Sequence, residues 1–156
     1  MLSNCAFLDV VIEQPPQEKY RIKYNDKTKL FSRTSVPSYY YLRKFSWWYG
    51  WISGTGPPPN SHCDAILISE KNWDIGDIVT GYLIGVFTKK HDYKYLIIEV
   101  EQAIKKNVFD LHDLPAIVLN ELFRLYTHPL PEEKWLGKSI ARKELFKYFE
   151  KDSSIK

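Results

Sequence analysis

Short apolar and alternating runs broken by turn residues fill the first two thirds of this chain, and the period changes in the last third. Phe7-Leu8-Asp9-Val10-Val11-Ile12-Glu13 is rich in β-formers and is stopped by Gln14-Pro15-Pro16, which predicts a strand. Lys19-Tyr20-Arg21-Ile22-Lys23-Tyr24 alternates basic and apolar residues, the period-2 pattern of a half-exposed strand. Asn25-Asp26 turns it, and Lys29 to Arg33 is expected to return as a hairpin partner. A loop of Gly and Pro then leads to Asp64, which opens the wholly apolar run Ala65 to Ile68. Trp73-Asp74-Ile75-Gly76-Asp77 reads as a turn, and Ile78 to Phe87 as a long strand in which two Gly residues allow bending. Thr88 to Lys94 forms a charged turn before a last strand from Tyr95 to Val100.

After that the spacing becomes helical. Asp113 is placed to cap a helix whose Leu114, Ile117, Val118, Leu122 and Leu125 make an apolar stripe. Ser139 is placed to cap a second helix to about Glu150, with a polar, fraying tail from Lys151. No repeat, linker or low-complexity segment interrupts the chain, so residues 1–156 are expected to form one domain.

Composition narrows the function classes. With 44% hydrophobic residues the chain can bury a real core. A net charge of +3 suits a phosphate-bearing ligand or an occasional nucleic-acid contact, not a histone-like role. Cys5 and Cys63 stand in no metal-like spacing and read as free thiols in a reducing compartment. The start lacks a basic, apolar leader and no run is long enough to span a bilayer, so a cytoplasmic protein without membrane contact is expected.

One carboxylate stands out. Asp64 sits at the lip of an apolar strand, where a charge is costly unless it meets a metal, a cation or water. The plainer reading is a loop-end Asp capping its own turn. The surrounding order Tyr49-Gly50-Trp51-Ile52-Ser53-Gly54-Thr55, then a loop, then Asp64-Ala65-Ile66-Leu67, resembles the centre of the soluble, family I inorganic pyrophosphatases. Val10-Val11-Ile12-Glu13-Gln14-Pro15, Lys19-Tyr20-Arg21 with Arg33 at the family's interval, Asp92-Tyr93-Lys94, Asp110 to Pro115, and Leu122 to Tyr126 followed by Trp135 match further family segments in the correct order. The resemblance runs from about Asp9 to about Phe149. It implies an α+β, mainly β fold: a five-stranded OB-like β-barrel flanked by two C-terminal helices.

In that family a cluster of Mg²⁺ ions neutralises diphosphate and activates a water, which takes many carboxylates. The resemblance carries Glu13, Asp64 and Asp92 over as a residual metal set, so Mg²⁺ is the implied cofactor only to the extent that this set works. The family's other loop Asp positions are Pro59 and Ser61 here, and a hydroxyl such as that of Ser61 cannot accept the proton the family Asp would take, so no catalytic residue is assigned. A family Glu has become Arg21, a reversal of charge, and a family Lys has become Thr127. The residues the family uses on phosphate persist: Lys19, Arg33, Tyr49, Lys94 and Tyr126. This pattern implies a degraded pyrophosphatase that keeps a phosphate- or pyrophosphate-binding pocket or serves as a protein-interaction module, and a homo-oligomer is consistent with the family. A weakly active Mg²⁺-dependent diphosphatase is the alternative.

A third reading rests on the segment from Ser38 to Trp48. Tyr39, Tyr40, Tyr41, Arg43, Lys44 and Trp47 make an aromatic-basic cluster that can stack on nucleobases or anchor a protein partner. The plain counterpart is a hairpin whose alternate aromatics fill the core.

Overall fold

The computed structural model describes residues 7–58, 61–90, 92–126 and 130–155, with only the backbone described for 151–155. In chain order the strands and helices are β1 (Phe7–Gln14), β2 (Tyr20–Asn25), β3 (Leu30–Pro37), α1 (Tyr39–Leu42), β4 (Trp48–Ile52), β5 (Asp64–Ile68), β6 (Ile78–Thr88), β7 (Lys94–Glu99), α2 (Val100–Lys106), α3 (Ala116–Leu125), β8 (Lys134–Gly137) and α4 (Lys138–Ile155). The strands β1-β4-β5-β7-β6 pair in that order and β6 returns to β1, which closes a five-stranded barrel. β8 adds to β6 outside the ring. Within the barrel β5 and β7 run parallel and the other neighbours antiparallel. β2 and β3 form a separate hairpin.

β5 and β7 are buried on both faces, which explains why they read as nearly unbroken apolar runs, whereas β1 alternates exposed and buried positions. Ala65 and Leu67 join Val10, Ile12, Leu83 and Ile97 in one cluster, which α4 completes with Ala141 and Leu145. Ile66 and Ile68, one residue out of step, join Ile84, Leu96 and Ile98 in a second cluster that α3 covers with Leu122 and Leu125. Each fully buried Ile or Leu stabilises the fold by about 1.5–3 kcal/mol. No helix among the described residues is long and apolar enough to cross a membrane.

The fold is the five-stranded mixed barrel expected from the sequence, with differences at the element ends. Pro115 pushes Leu114 into an extended conformation, so α3 begins only at Ala116. Asp113 therefore does not cap it. Its carboxylate accepts instead from the N–H groups of Phe109 and Asp110, closing a short 3-10 turn over Leu111–Asp113. Ser139 does not cap the second helix either. α4 starts at Lys138, whose N–H donates 3.0 Å to Asp110 Oδ1, so the cap comes from a residue distant in sequence. The expected frayed tail is helical to Ile155. Val100 opens α2 rather than ending a strand, because Glu99 turns its carboxylate back to the Glu101 N–H as a cap. Two helices beyond the expected pair thus appear, α1 and α2, and the stretch 38–48 is a helical turn leading into β4 rather than a hairpin.

Candidate functional site

Residues from four strands meet at one rim of the barrel. On β1, side chains alternate inward and outward, so Leu8, Val10, Ile12 and Gln14 are buried while Glu13 lies on the other face. The ladder to β4 slips between Ile12, opposite Gly50, and Gln14, opposite Tyr49, so Glu13 is the extra residue of a β-bulge. Bulges of this kind re-aim a side chain. Gly50 permits the close crossing, since a Cβ there would lie 1.8 Å from the Val11 carbonyl oxygen. Gln14, which the sequence did not mark, fixes the β2 hairpin to the barrel: its Oε1 accepts from Ile22 N at 2.8 Å and its Nε2 donates to Tyr20 O at 3.0 Å.

Asp64 and Lys94 are the first residues of the two parallel strands and stand directly opposite in the register. The buried Lys94 ammonium donates to Asp64 Oδ2 at 2.6 Å, to Asp92 Oδ1 at 3.1 Å and to the Tyr49 hydroxyl at 3.1 Å. The other Asp64 oxygen, Oδ1, lies 2.8 Å from His62 Nε2. Burial alone would raise the Asp64 carboxyl, but the His62 hydrogen bond and the Lys94 charge outweigh it and hold the group well below the usual carboxylate range. Glu13 behaves oppositely. Burial, then the negative charge of Asp64, push it up to about 7.

Tyr126 enters from the end of α3. Its ring packs on Phe87, with centroids 4.6 Å apart, and its hydroxyl lies 3.2 Å from that of Tyr40. Tyr40 in turn stacks on Tyr49 at 4.7 Å. Burial raises the phenol pKa of Tyr40, Tyr49 and Tyr126, so all three stay neutral hydrogen-bonding groups.

Glu13, Tyr49, Asp64 and Lys94 line one cleft of about 1210 Å³, with Arg21 of β2 on its wall. Asp92 reaches this group through Lys94, and Tyr126 through Tyr40. Lys19 and Arg33 are exposed and do not line the cleft. Arg33 is held by Glu18 through two hydrogen bonds, of 2.5 and 2.9 Å. Ser61 faces away as well: its hydroxyl is 3.4 Å from that of Tyr148 on α4, and both border a separate cavity of about 370 Å³. Pro59 and Thr127 lie outside the described residues. Cys63 is a buried free thiol, as the sequence suggested; Cys5 lies outside the described residues.

In the aromatic-basic segment, Tyr40 is packed inward on Tyr49 and Phe45, and Trp47 is half-buried with an indole N–H that has no partner among the described residues. Tyr39, Tyr41, Arg43 and Lys44 stay on the surface. The Arg43 guanidinium lies 3.3 Å from the Tyr39 ring centre, and the Tyr39 hydroxyl donates to Leu125 O. The segment is thus chiefly a brace between β4 and α3.

The donor set can be tested against Mg²⁺, which asks for several oxygen ligands free to converge on one point. Both Asp64 oxygens and one Asp92 oxygen are already engaged by His62 and Lys94. Among the described residues no three His, Cys, Asp or Glu side chains converge in a way that could hold a metal ion. This arrangement does not fit a cluster of divalent ions. The groups it leaves for an anion are the Lys94 ammonium, shared with two carboxylates, Arg21 on the wall and neutral phenol hydroxyls.

A model of the inorganic pyrophosphatase family matches residues 10–151. No individually curated protein matches the chain. Among solved structures, the chain is similar to an inorganic pyrophosphatase from Neisseria gonorrhoeae, with a TM-score of 0.76 and 20% identity over 97% of this chain and 93% of that one. It is likewise similar to the inorganic pyrophosphatase from Ehrlichia chaffeensis, with a TM-score of 0.71 and 20% identity over 92% and 93%. The enzyme from Helicobacter pylori gives a TM-score of 0.69 and 18% identity over 94% of each chain. At such identities the structural likeness shows the fold, while the family match spans most of the sequence. The chain belongs to the inorganic pyrophosphatase family.

Proposed function

We propose that this chain is a pyrophosphatase-family protein that binds a phosphate-bearing anion and hydrolyses diphosphate little or not at all. The observation that carries the reading is the state of the carboxylates. Asp64 and Asp92 both spend their charge on the Lys94 ammonium, and the loop positions that would add acids are Pro59 and Ser61. Family chemistry needs acids to gather divalent ions around the substrate. What remains for an anion is the Lys94 ammonium, shared with Asp64 and Asp92, the Arg21 guanidinium on the wall and neutral phenols, donors that bind anions without a metal. Tyr49, Lys94 and Tyr126 are the inherited phosphate-side groups of this reading, and Lys19 and Arg33 join them only if the β2 hairpin rearranges around a ligand.

A weak Mg²⁺-dependent diphosphatase using Glu13, Asp64 and Asp92 has one observation in its favour. Glu13, at about 7, is a proton acceptor in the range that suits general-base work near neutral pH. A phosphate-release assay with diphosphate and Mg²⁺ or Mn²⁺ decides between them. Turnover like that of an ordinary family member would end the non-hydrolysing reading. Diphosphate binding in calorimetry with a chelator present, and no release of phosphate, is the expected result. On this reading the protein acts in the cytoplasm, in line with two cysteines that stand in no disulfide-scaffold or metal-like spacing.

A further inference from the structure

Three cations border the cleft, and Glu13 is the one lining acid that acts on any of them, through the charge of Arg21. Arg21, Lys23 and Lys27 are exposed along its wall, and no ion pair among the described residues includes them. Glu13 apart, the neighbouring acids are engaged elsewhere. Asp26 is paired to Lys29 at 2.7 Å, and Asp64 and Asp92 to Lys94. The deep end of the cleft therefore carries no net positive charge: one ammonium faces two carboxylates there. The outer wall carries three positive charges that belong to no ion pair among the described residues, with Glu13 near Arg21. An anion drawn into this cavity meets the positive outer wall before it reaches the inherited end.

Arg21 and Lys23 lie two residues apart on β2, so they share one face with their Cα atoms about 7 Å apart. Lys27 continues the row through the turn, where Asn25 Oδ1 accepts from its N–H at 2.9 Å. One phosphate cannot meet all three cations at that spacing, but a chain of linked phosphates can. The cavity, about 1210 Å³, also exceeds the roughly 300–1,000 Å³ usual for small-molecule sites and leaves a bare diphosphate loosely held. Building on the anion-binding reading above, we propose that the β2 wall formed by Arg21, Lys23 and Lys27 binds an oligophosphate of three or more linked phosphates. Tyr24 and Tyr39 line the same cavity, so the chain comes either as inorganic oligophosphate or as the tail of a nucleotide.

Calorimetry of the full chain in a chelator, with diphosphate, tripolyphosphate and ATP, tests the assignment. Tripolyphosphate is expected to bind at least about tenfold more tightly than diphosphate. The Arg21→Gln/Lys23→Gln double variant, altered only at exposed positions, should lose at least about tenfold in tripolyphosphate affinity, while the charge-keeping Arg21→Lys/Lys23→Arg variant retains it. Tighter binding of ATP than of tripolyphosphate identifies a nucleotide source, and equal or weaker binding of ATP an inorganic one; both support the site. Equal affinity for diphosphate and tripolyphosphate, or an unaffected double variant, would overturn it. So would tighter binding of single-stranded oligouridylate at the same salt concentration. Hydrolysis of diphosphate with Mg²⁺ would sink the non-hydrolysing reading and leave this site standing. Anion affinity that depends on Lys94 but not on Arg21 and Lys23 would do the reverse.

Discussion

Asp64 and Lys94 stand opposite each other at the starts of the barrel's two parallel strands, and the Lys94 ammonium lies 2.6 Å from Asp64 Oδ2. A cation supplied by the chain itself thus occupies the carboxylates on which a bound metal would depend. The pair is mostly buried, with side-chain exposures of 10% for Lys94 and 16% for Asp64. Breaking it from one side leaves a buried charge without its counter-ion.

Lys94→Met is accordingly expected to lower stability by about 2–4 kcal/mol, measured by urea unfolding at neutral pH. The same change frees oxygens of Asp64 and Asp92. Mn²⁺ affinity in calorimetry should therefore rise at least about tenfold over the parent chain. A variant that loses stability without gaining metal affinity would show that the lysine does not compete with cations here.

Glu13 makes stability depend on pH in a definite direction. Its folded-state value of about 7 lies above the ordinary 4.5, so the folded chain holds this proton more tightly than the unfolded one. Stability then falls as pH rises from about 4.5 to about 7, and the penalty persists above that range. Glu13→Gln removes the penalty. The variant should be more stable than the parent at about pH 8, by on the order of 2 kcal/mol, and equal to it near pH 4.5. Unfolding curves across that range check this; an offset independent of pH would contradict the buried position of Glu13.

Tyr40 distinguishes a structural brace from a stacking platform. Tyr40→Phe loses the hydrogen bond to the Tyr126 hydroxyl and should cost about 1 kcal/mol or less. Tyr40→Ala removes a ring packed between Tyr49 and Phe45 and should cost about 3–5 kcal/mol. Thermal melts measure both. An exposed stacking residue would give small changes in each.

Cys63 should be unreactive while the chain is folded. Burial, then the nearby Asp64 charge, push its thiol up to about 12, so almost no thiolate exists at neutral pH. In a Cys5→Ser background, reaction with a disulfide reagent is expected to be at least about 100-fold slower in buffer than in denaturant. Fast labelling of the folded chain would show that the loop preceding β5 opens.

Much of the fold was legible in the order of residues. A run of β-formers marked β1, alternation marked β2, and the apolar runs marked β5, β6 and β7, because strands with one or two buried faces must write that burial into their side chains. The short elements α1, α2 and β8 were not legible, being too brief to show a period. Their ends depend on long-range partners such as Asp110, which caps α4 from another part of the chain.

The same division holds for the site. The sequence by itself determined which charged groups exist: Asp64 and Lys94 kept, Pro59 and Ser61 where acids would be needed, and Arg21 in place of a carboxylate. Only the tertiary structure decided how those charges are spent. Lys94 turns to Asp64 and Asp92, Arg33 is held by Glu18 outside the cleft, and Arg21, Lys23 and Lys27 are left outside any ion pair among the described residues. The reason is physical: a charge is written in one residue, but its neutralisation depends on distance, and distance is set by the parallel pairing of β5 with β7 and by the docking of a hairpin through Gln14.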